Sequence, residues 1–210
     1  MTTPAGEGAD GRVLWPARGR ADRIGGSAVA GVQLTGGLLA LLWVIEGLDT
    51  LLSHQLDRFG VRPHHLVGLR GIAFAPFLHA GWAHLIGNTV PLAVLTLLIA
   101  CRSVVRYVSV FLVVALISGL GMWLLGGSNE LHLGASGVIF GLLTYLISRG
   151  FFARRAGQVV VGLVVALLYG SALRSVFPAT NGVSWQGHLF GAVGGVVAAY
   201  LFDRHETREP

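Results

Sequence analysis

From residue 28 onward the sequence alternates long apolar runs with short breaks that carry arginine. The runs cover residues 28–52, about 84–101, 108–125, 137–148, 159–173 and 183–202. One hydrocarbon crossing takes about 20 helical residues, so this pattern predicts an all-α polytopic membrane protein with six transmembrane helices over 28–203. Residues 1–27 are rich in Gly, Ala and Arg and lack the apolar core of a signal peptide, which predicts a disordered tail. A second short tail is expected over 204–210. The connection at about 53–81 is much longer than the others and mixes His54, His64, His65 and several Phe with Gly and Pro, so a structured loop at the outer interface is expected. The fourth run, read as twelve residues, spans only about 18 Å, which puts its start below the membrane surface.

Composition strengthens this picture. The chain is 53% hydrophobic and 12% charged, too few polar groups to cover a water-soluble globule of 210 residues. All 15 basic residues are arginine, against 10 acids. With six crossings, eleven arginines (12, 18, 20, 23, 102, 106, 149, 154, 155, 204 and 208) fall on the side of the termini and four (58, 62, 70 and 174) on the other. The positive-inside rule then puts both termini in the cytoplasm of a cell with a bacterial-type plasma membrane. The same arginines, dispersed at lipid headgroup level, form no basic face for nucleic acid, and no nucleic-acid partner is expected. The lone Cys101 excludes an intrachain disulfide.

Four polar residues interrupt the apolar runs: His84, Asn88, Ser136 and His188. Each has a plain structural role open to it, since serine in a membrane helix bonds back to its own backbone and His or Asn joins helices. Depth changes the balance. The second, fourth and sixth helices run in the same direction, and all four residues lie near their starts. His84 and Asn88 are four apart and share a face. A hydroxyl, an imidazole and further donors at one level make the parts of acyl transfer: nucleophile, base and oxyanion donors.

Ser136 lies in Gly134-Ala135-Ser136-Gly137, where a loop becomes a helix whose amino end offers free N–H groups. Position 138 is Val, so the G-x-S-x-G hydrolase elbow is not matched. No acid is near His188 in sequence, which favours a Ser/His dyad. Phe140, one turn beyond Ser136, is placed to stack on the imidazole. The sixth helix carries Gly187, Gly191 and Gly195 at four-residue intervals and the fourth carries Gly137 and Gly141, a spacing of small residues that lets two helices touch backbone to backbone. His79 and His84 are about 140° apart around a helix and no H-E-x-x-H occurs, so no catalytic metal and no cofactor are expected. His54, His64 and His65 read as interfacial loop residues.

His79-Ala-Gly-Trp-Ala-His84-Leu-Ile-Gly-Asn88 resembles the second-helix H-x-x-x-x-H-x-x-x-N signature of rhomboid intramembrane serine proteases. Gly134-Ala135-Ser136-Gly137 resembles their G-x-S-G, and Gly187-His188-Leu-Phe-Gly191 resembles their sixth-helix histidine with its following glycine. The resemblance covers about residues 65–202, in family order. It implies a rhomboid-like six-helix bundle that cleaves single-span or polytopic membrane proteins near the outer face of the bilayer. It further implies Ser136 as nucleophile, His188 as base, an oxyanion hole of His84, Asn88 and the Ser136 N–H, and His79 as a buttress. Leu69-Arg70 stands where many members have Trp-Arg, and Phe140 where Tyr is frequent. The alternative is a silent relative that binds transmembrane helices without cutting them; such relatives typically lack the serine or histidine that this chain retains. A transporter reading lacks any visible inverted repeat.

Overall fold

The computed structural model describes residues 6–7, 13–14, 20–177 and 184–204. The architecture is helical: α1 (Arg20–Leu51), the short α2 (Gly71–Phe74), α3 (Trp82–Ala100), α4 (Val104–Leu125), α5 (Ser136–Ala153), α6 (Ala156–Tyr169) and α7 (Trp185–Asp203). A two-residue antiparallel pairing joins β1 (Gly6–Glu7) to β2 (Val13–Leu14). The six apolar runs correspond to α1, α3, α4, α5, α6 and α7, so the helical bundle read from hydropathy is the fold; α1, α3, α4 and α5 are each long and apolar enough to cross a membrane, and α6, at 14 residues, is shorter.

Several boundaries differ from the apolar runs, each for a local reason. Most of the tail expected over 1–27, and all but Arg204 of that over 204–210, lies outside the described residues, yet α1 already begins at Arg20. Extending an existing helix costs far less than nucleating one, and Arg and Ala propagate it well. Helix α4 starts at Val104 because the Ser103 hydroxyl accepts from Arg106 N at 3.2 Å and caps it. The fourth run was cut at Ser148 by the charge on Arg149, but α5 continues to Ala153. Its 18 residues reach about 27 Å. Arg149 stays inside the protein because Asp203, wholly buried at the end of α7, faces it at 3.5 Å and Arg106 of α4 at 3.2 Å. Helix α6 gives way at Tyr169 to a 3-10 segment, Gly170–Val176, where Gly170 and Ser171 weaken the α-helical preference. The start expected for the sixth run, residue 183, lies outside the described residues; α7 opens at Trp185, with Ser184 Oγ accepting from Gly187 N at 3.3 Å.

Helix α5 is the central post. Buried residues make up 72% of it, against 17%, 39% and 28% of the apolar windows of α1, α3 and α4. Its tightest partner is α7. A Cβ on Gly191 would lie 2.1 Å from Gly137 O, and one on Gly195 2.0 Å from Gly141 O, so only hydrogen fits between the two backbones. Thr144 Oγ1 closes the seam by donating to Ala192 O at 2.7 Å. The loop expected to be structured is so: residues 52–81 hold 3-10 turns at Leu56–Phe59, Leu66–Arg70 and Ala75–Phe77 around α2. Val61 and His132 exchange both backbone hydrogen bonds, at 2.8 and 3.0 Å, tying this loop to the segment before α5. Arg70 lies over the Phe59 ring at 4.5 Å and donates to Arg58 O, so the arginine of the incomplete Trp-Arg pair is spent within the loop.

Candidate active site

The start of α5 is shaped from below by two loops. Gly134 N donates to Ala75 O at 2.9 Å, and Gly134 has φ +122°, a left-handed conformation that a side chain resists. A Cβ there would also strike the His84 ring, at 2.5 Å from Cε1. Glycine is therefore demanded twice, by the turn and by the imidazole pressed against it. The chain then enters α5 at Ser136, and the first helical bond runs from Ile139 N to Ala135 O. The N–H groups of Ser136 and Gly137 precede that ladder and need other acceptors.

His79 lies under this turn. It is 1% exposed, and burial, with a smaller contribution from His84, pushes its imidazole down to about 4. It is thus neutral at physiological pH and its Nε2 faces Ala135 N at 3.5 Å, a long contact that positions more than it binds. Its ring meets that of His84 edge to face, with centroids 5.2 Å apart. His84 Nδ1 in turn faces Ala80 N at 3.4 Å. His79 therefore packs between the turn before the serine and the ring of His84.

Ser136, His188, His84 and Asn88 all line one cavity of about 850 Å³. Three helices deliver them: α5 the hydroxyl, α7 the imidazole, α3 the pair one turn apart. Phe140 lies parallel on His188, with ring centroids 4.2 Å apart and planes 7° from coplanar, the stack that the four-residue offset from Ser136 allowed. Asn88 is buried and its Nδ2 has no hydrogen-bond partner among the described residues. A buried amide donor without a partner, on a residue that lines the cavity, is an unfilled demand for an acceptor.

Sequence reasoning missed three residues at the site, one hydroxyl and a pair of acids. Ser118 of α4 donates to Gly187 O at 2.8 Å, and its Oγ occupies the space a Cβ on Gly137 would need. It thereby binds α4 to the residue before His188 and to the residue after Ser136. The Ser118-to-Gly187 separation of 69 positions left no local signal. The acids are Asp57 and Glu130, which also line the cavity. Glu130 Oε2 accepts from Gly127 N and pairs with His132 at 3.1 Å, which opposes the downward push of burial on that histidine.

With the helices and the cavity in place, the class is defined. Residues 68–205 match the Rhomboid domain family, and the chain belongs to that family. With its apolar helices it is an integral membrane protein. The chain is 44% identical over 178 residues to the "Uncharacterized protein Rv1337" of Mycobacterium tuberculosis, covering 81% of this chain and 74% of that one. The "Uncharacterized protein ML1171" of Mycobacterium leprae is likewise 44% identical over 178 residues, 81% of this chain and 70% of the relative. A Bacillus subtilis relative, "Putative rhomboid protease YdcA", is 29% identical over 133 residues, 62% of this chain and 66% of its own. No solved structure gives a significant match.

Proposed function

We propose that this chain is an intramembrane serine endopeptidase working through a Ser136/His188 dyad. The observation that carries the reading is the shared cavity, in which a hydroxyl at a helix start, a ring-stacked imidazole and an unpartnered amide donor meet. In this mechanism the His188 imidazole takes the Ser136 Oγ proton as Oγ attacks the scissile carbonyl. The negative charge that develops on the carbonyl oxygen is received by Asn88, His84 and the Ser136 N–H. Collapse of the adduct breaks the C–N bond, and the imidazolium returns its proton to the leaving amine. Water then enters and gives a proton to His188 as its oxygen attacks the acyl carbon; the Oγ–acyl bond breaks, the carboxylic acid leaves, and the imidazolium returns the proton to Ser136 Oγ.

The substrates are transmembrane segments of other proteins. A peptide bond becomes available to Ser136 only where a substrate helix unwinds, because a helical carbonyl is shielded by its own hydrogen bond. Good substrates therefore carry Gly, Pro or polar residues near their outer boundary, and the rhomboid resemblance adds a small residue before the cut. The eleven-to-four arginine split supports cytoplasmic termini and a site near the outer face of a bacterial plasma membrane. The deciding experiment is reaction of the purified protein with a serine-directed phosphonate or isocoumarin, beside cleavage of a panel of single-span substrates. Labelling and cleavage are both lost in Ser136→Ala and His188→Ala. Labelling that persists in Ser136→Ala defeats the mechanism, and a chain that binds substrates without cutting them is the silent relative.

A further inference from the structure

We infer that the end of α1 and the first loop form a site for one divalent transition-metal ion of the zinc type, held by Asp49, His54 and Asp57 with Glu46 beside them. The inference is independent of the proteolytic reading. The ligand atoms of Asp49, His54 and Asp57 lie within 4.8 Å of one another. His54 Nδ1 and Asp49 Oδ2 are 3.4 Å apart, and tetrahedral zinc ligands at about 2.0–2.1 Å from the ion stand roughly 3.4 Å from each other. The chain turns back sharply to make this pairing: Ser53 and His54 both have positive φ, and His54 N donates to Asp49 O at 2.8 Å. An imidazole read from sequence as an interfacial loop residue is thus turned onto a buried carboxylate.

A separate observation points to a missing ligand. Glu46 lies one turn before Asp49 on α1, is 1% exposed, and neither of its carboxylate oxygens has a hydrogen-bond partner among the described residues. It is close enough to interact electrostatically with Asp49, Asp57 and His54. Asp49 is 2% exposed; its Oδ1 accepts from Leu56 N at 2.6 Å, while Oδ2 and Asp57 Oδ1 accept no hydrogen bond among the described residues. Three carboxyls crowd one imidazole, with Asp57 within hydrogen-bond reach of Asp49, an arrangement costly to bury without a further cation. With all three carboxyls ionised, one imidazolium leaves two negative charges over; a divalent cation bound to the neutral ring leaves one.

The donor set chooses the ion. Calcium and magnesium take oxygen ligands, whereas one imidazole nitrogen with carboxylate oxygens suits zinc and its neighbours. His54, about half exposed, gives the ion a path from water. Asp57 also lines the cavity that holds Ser136 and His188, so a bound ion would pin part of that wall to α1.

The test uses the full chain in detergent, stripped with a chelator and titrated with zinc, and with cobalt as its coloured substitute. One zinc per chain is expected, with cobalt absorption bands of a low-coordinate site. Asp49→Asn and His54→Gln should each weaken binding at least tenfold, while calcium or magnesium at equal concentration should not compete. Should Asp49→Asn fail to fold, His54→Gln at a half-exposed position still decides. Absence of saturable zinc binding, binding unchanged in His54→Gln, or displacement by calcium would overturn the assignment.

Discussion

The two ends of the α5–α7 pair use polar groups in opposite ways. At one end Ser136 and His188 face a cavity, with the amide of Asn88 left open beside them. At the other, Asp203 lies wholly buried between Arg106 and Arg149, and Arg149 also lies over the Tyr145 ring at 5.3 Å. One end answers charge with charge and seals. The other keeps its demands for a visitor. An apolar bundle tolerates both because the glycine seam between them fixes the helices whichever end is perturbed, so a lesion at each end should have a different signature.

The largest effect belongs to the open end. Ser136→Ala or His188→Ala should lower turnover by more than about 10³-fold while leaving thermal unfolding within a few degrees, since nucleophile and base act as a unit. Turnover surviving in either, or loss of the folded bundle, would break the contrast. At the sealed end the expectation reverses. Asp203→Asn strands the buried Arg149 beside the partly buried Arg106 and should cost about 3–5 kcal/mol of stability, with kcat per folded molecule unchanged. A stable Asp203→Asn would show that the arginines find other partners. Asn88→Ala sharpens the open end: losing one oxyanion donor should cost about 10²-fold in kcat, and full activity would remove Asn88 from the mechanism.

A smaller effect concerns pH. His79 binds its proton near pH 4 in the folded state and at about 6.5 when unfolded. Between those values the unfolded chain holds more protons, so stability is fully present above about 6.5 and is lost as pH falls toward 4, by about 1–3 kcal/mol. His79→Gln should flatten that part of the stability profile, and an unaltered profile would rule His79 out as its source. The smallest is at Phe140. Phe140→Tyr should stay within a few fold of the parent, whereas Phe140→Ala should lower kcat more than it raises KM, by several fold, as a stacked contact of about 0.5–1.5 kcal/mol is lost. An unchanged kcat per folded molecule in Phe140→Ala would leave the ring a packing role only.

Most of the bundle was legible because a crossing helix advertises itself by length and hydropathy. The cavity residues were legible because they recur at fixed offsets within helices: His84 with Asn88, Ser136 with Phe140. What escaped was set by distance along the chain. Arg149 meets Asp203 across 54 positions, and in the sequence it reads as a loop arginine that ends a run. Ser118 resembles any serine in a membrane helix until α7 arrives with Gly187 O to accept from it. His54 reads as a loop residue until two left-handed residues turn it onto Asp49. In each case the partner exists only after the helices assemble.

The seam of Gly137, Gly141, Gly191 and Gly195 contributes no side-chain torsions. Two helices separated by side chains can adjust their spacing as those chains exchange rotamers, so such an interface softens gradually with warming. Here α5 and α7 rest backbone on backbone, Gly191 against Gly137 and Gly195 against Gly141. Heat has no intermediate register to offer them. The α5–α7 contact should hold until the helices part altogether, and Ser118 of α4, which donates to Gly187 O, is a place elsewhere in the bundle with leverage on it. The wall that α3 and the loops around the cavity supply is joined to this pair through side chains, and it can drift without parting the two backbones.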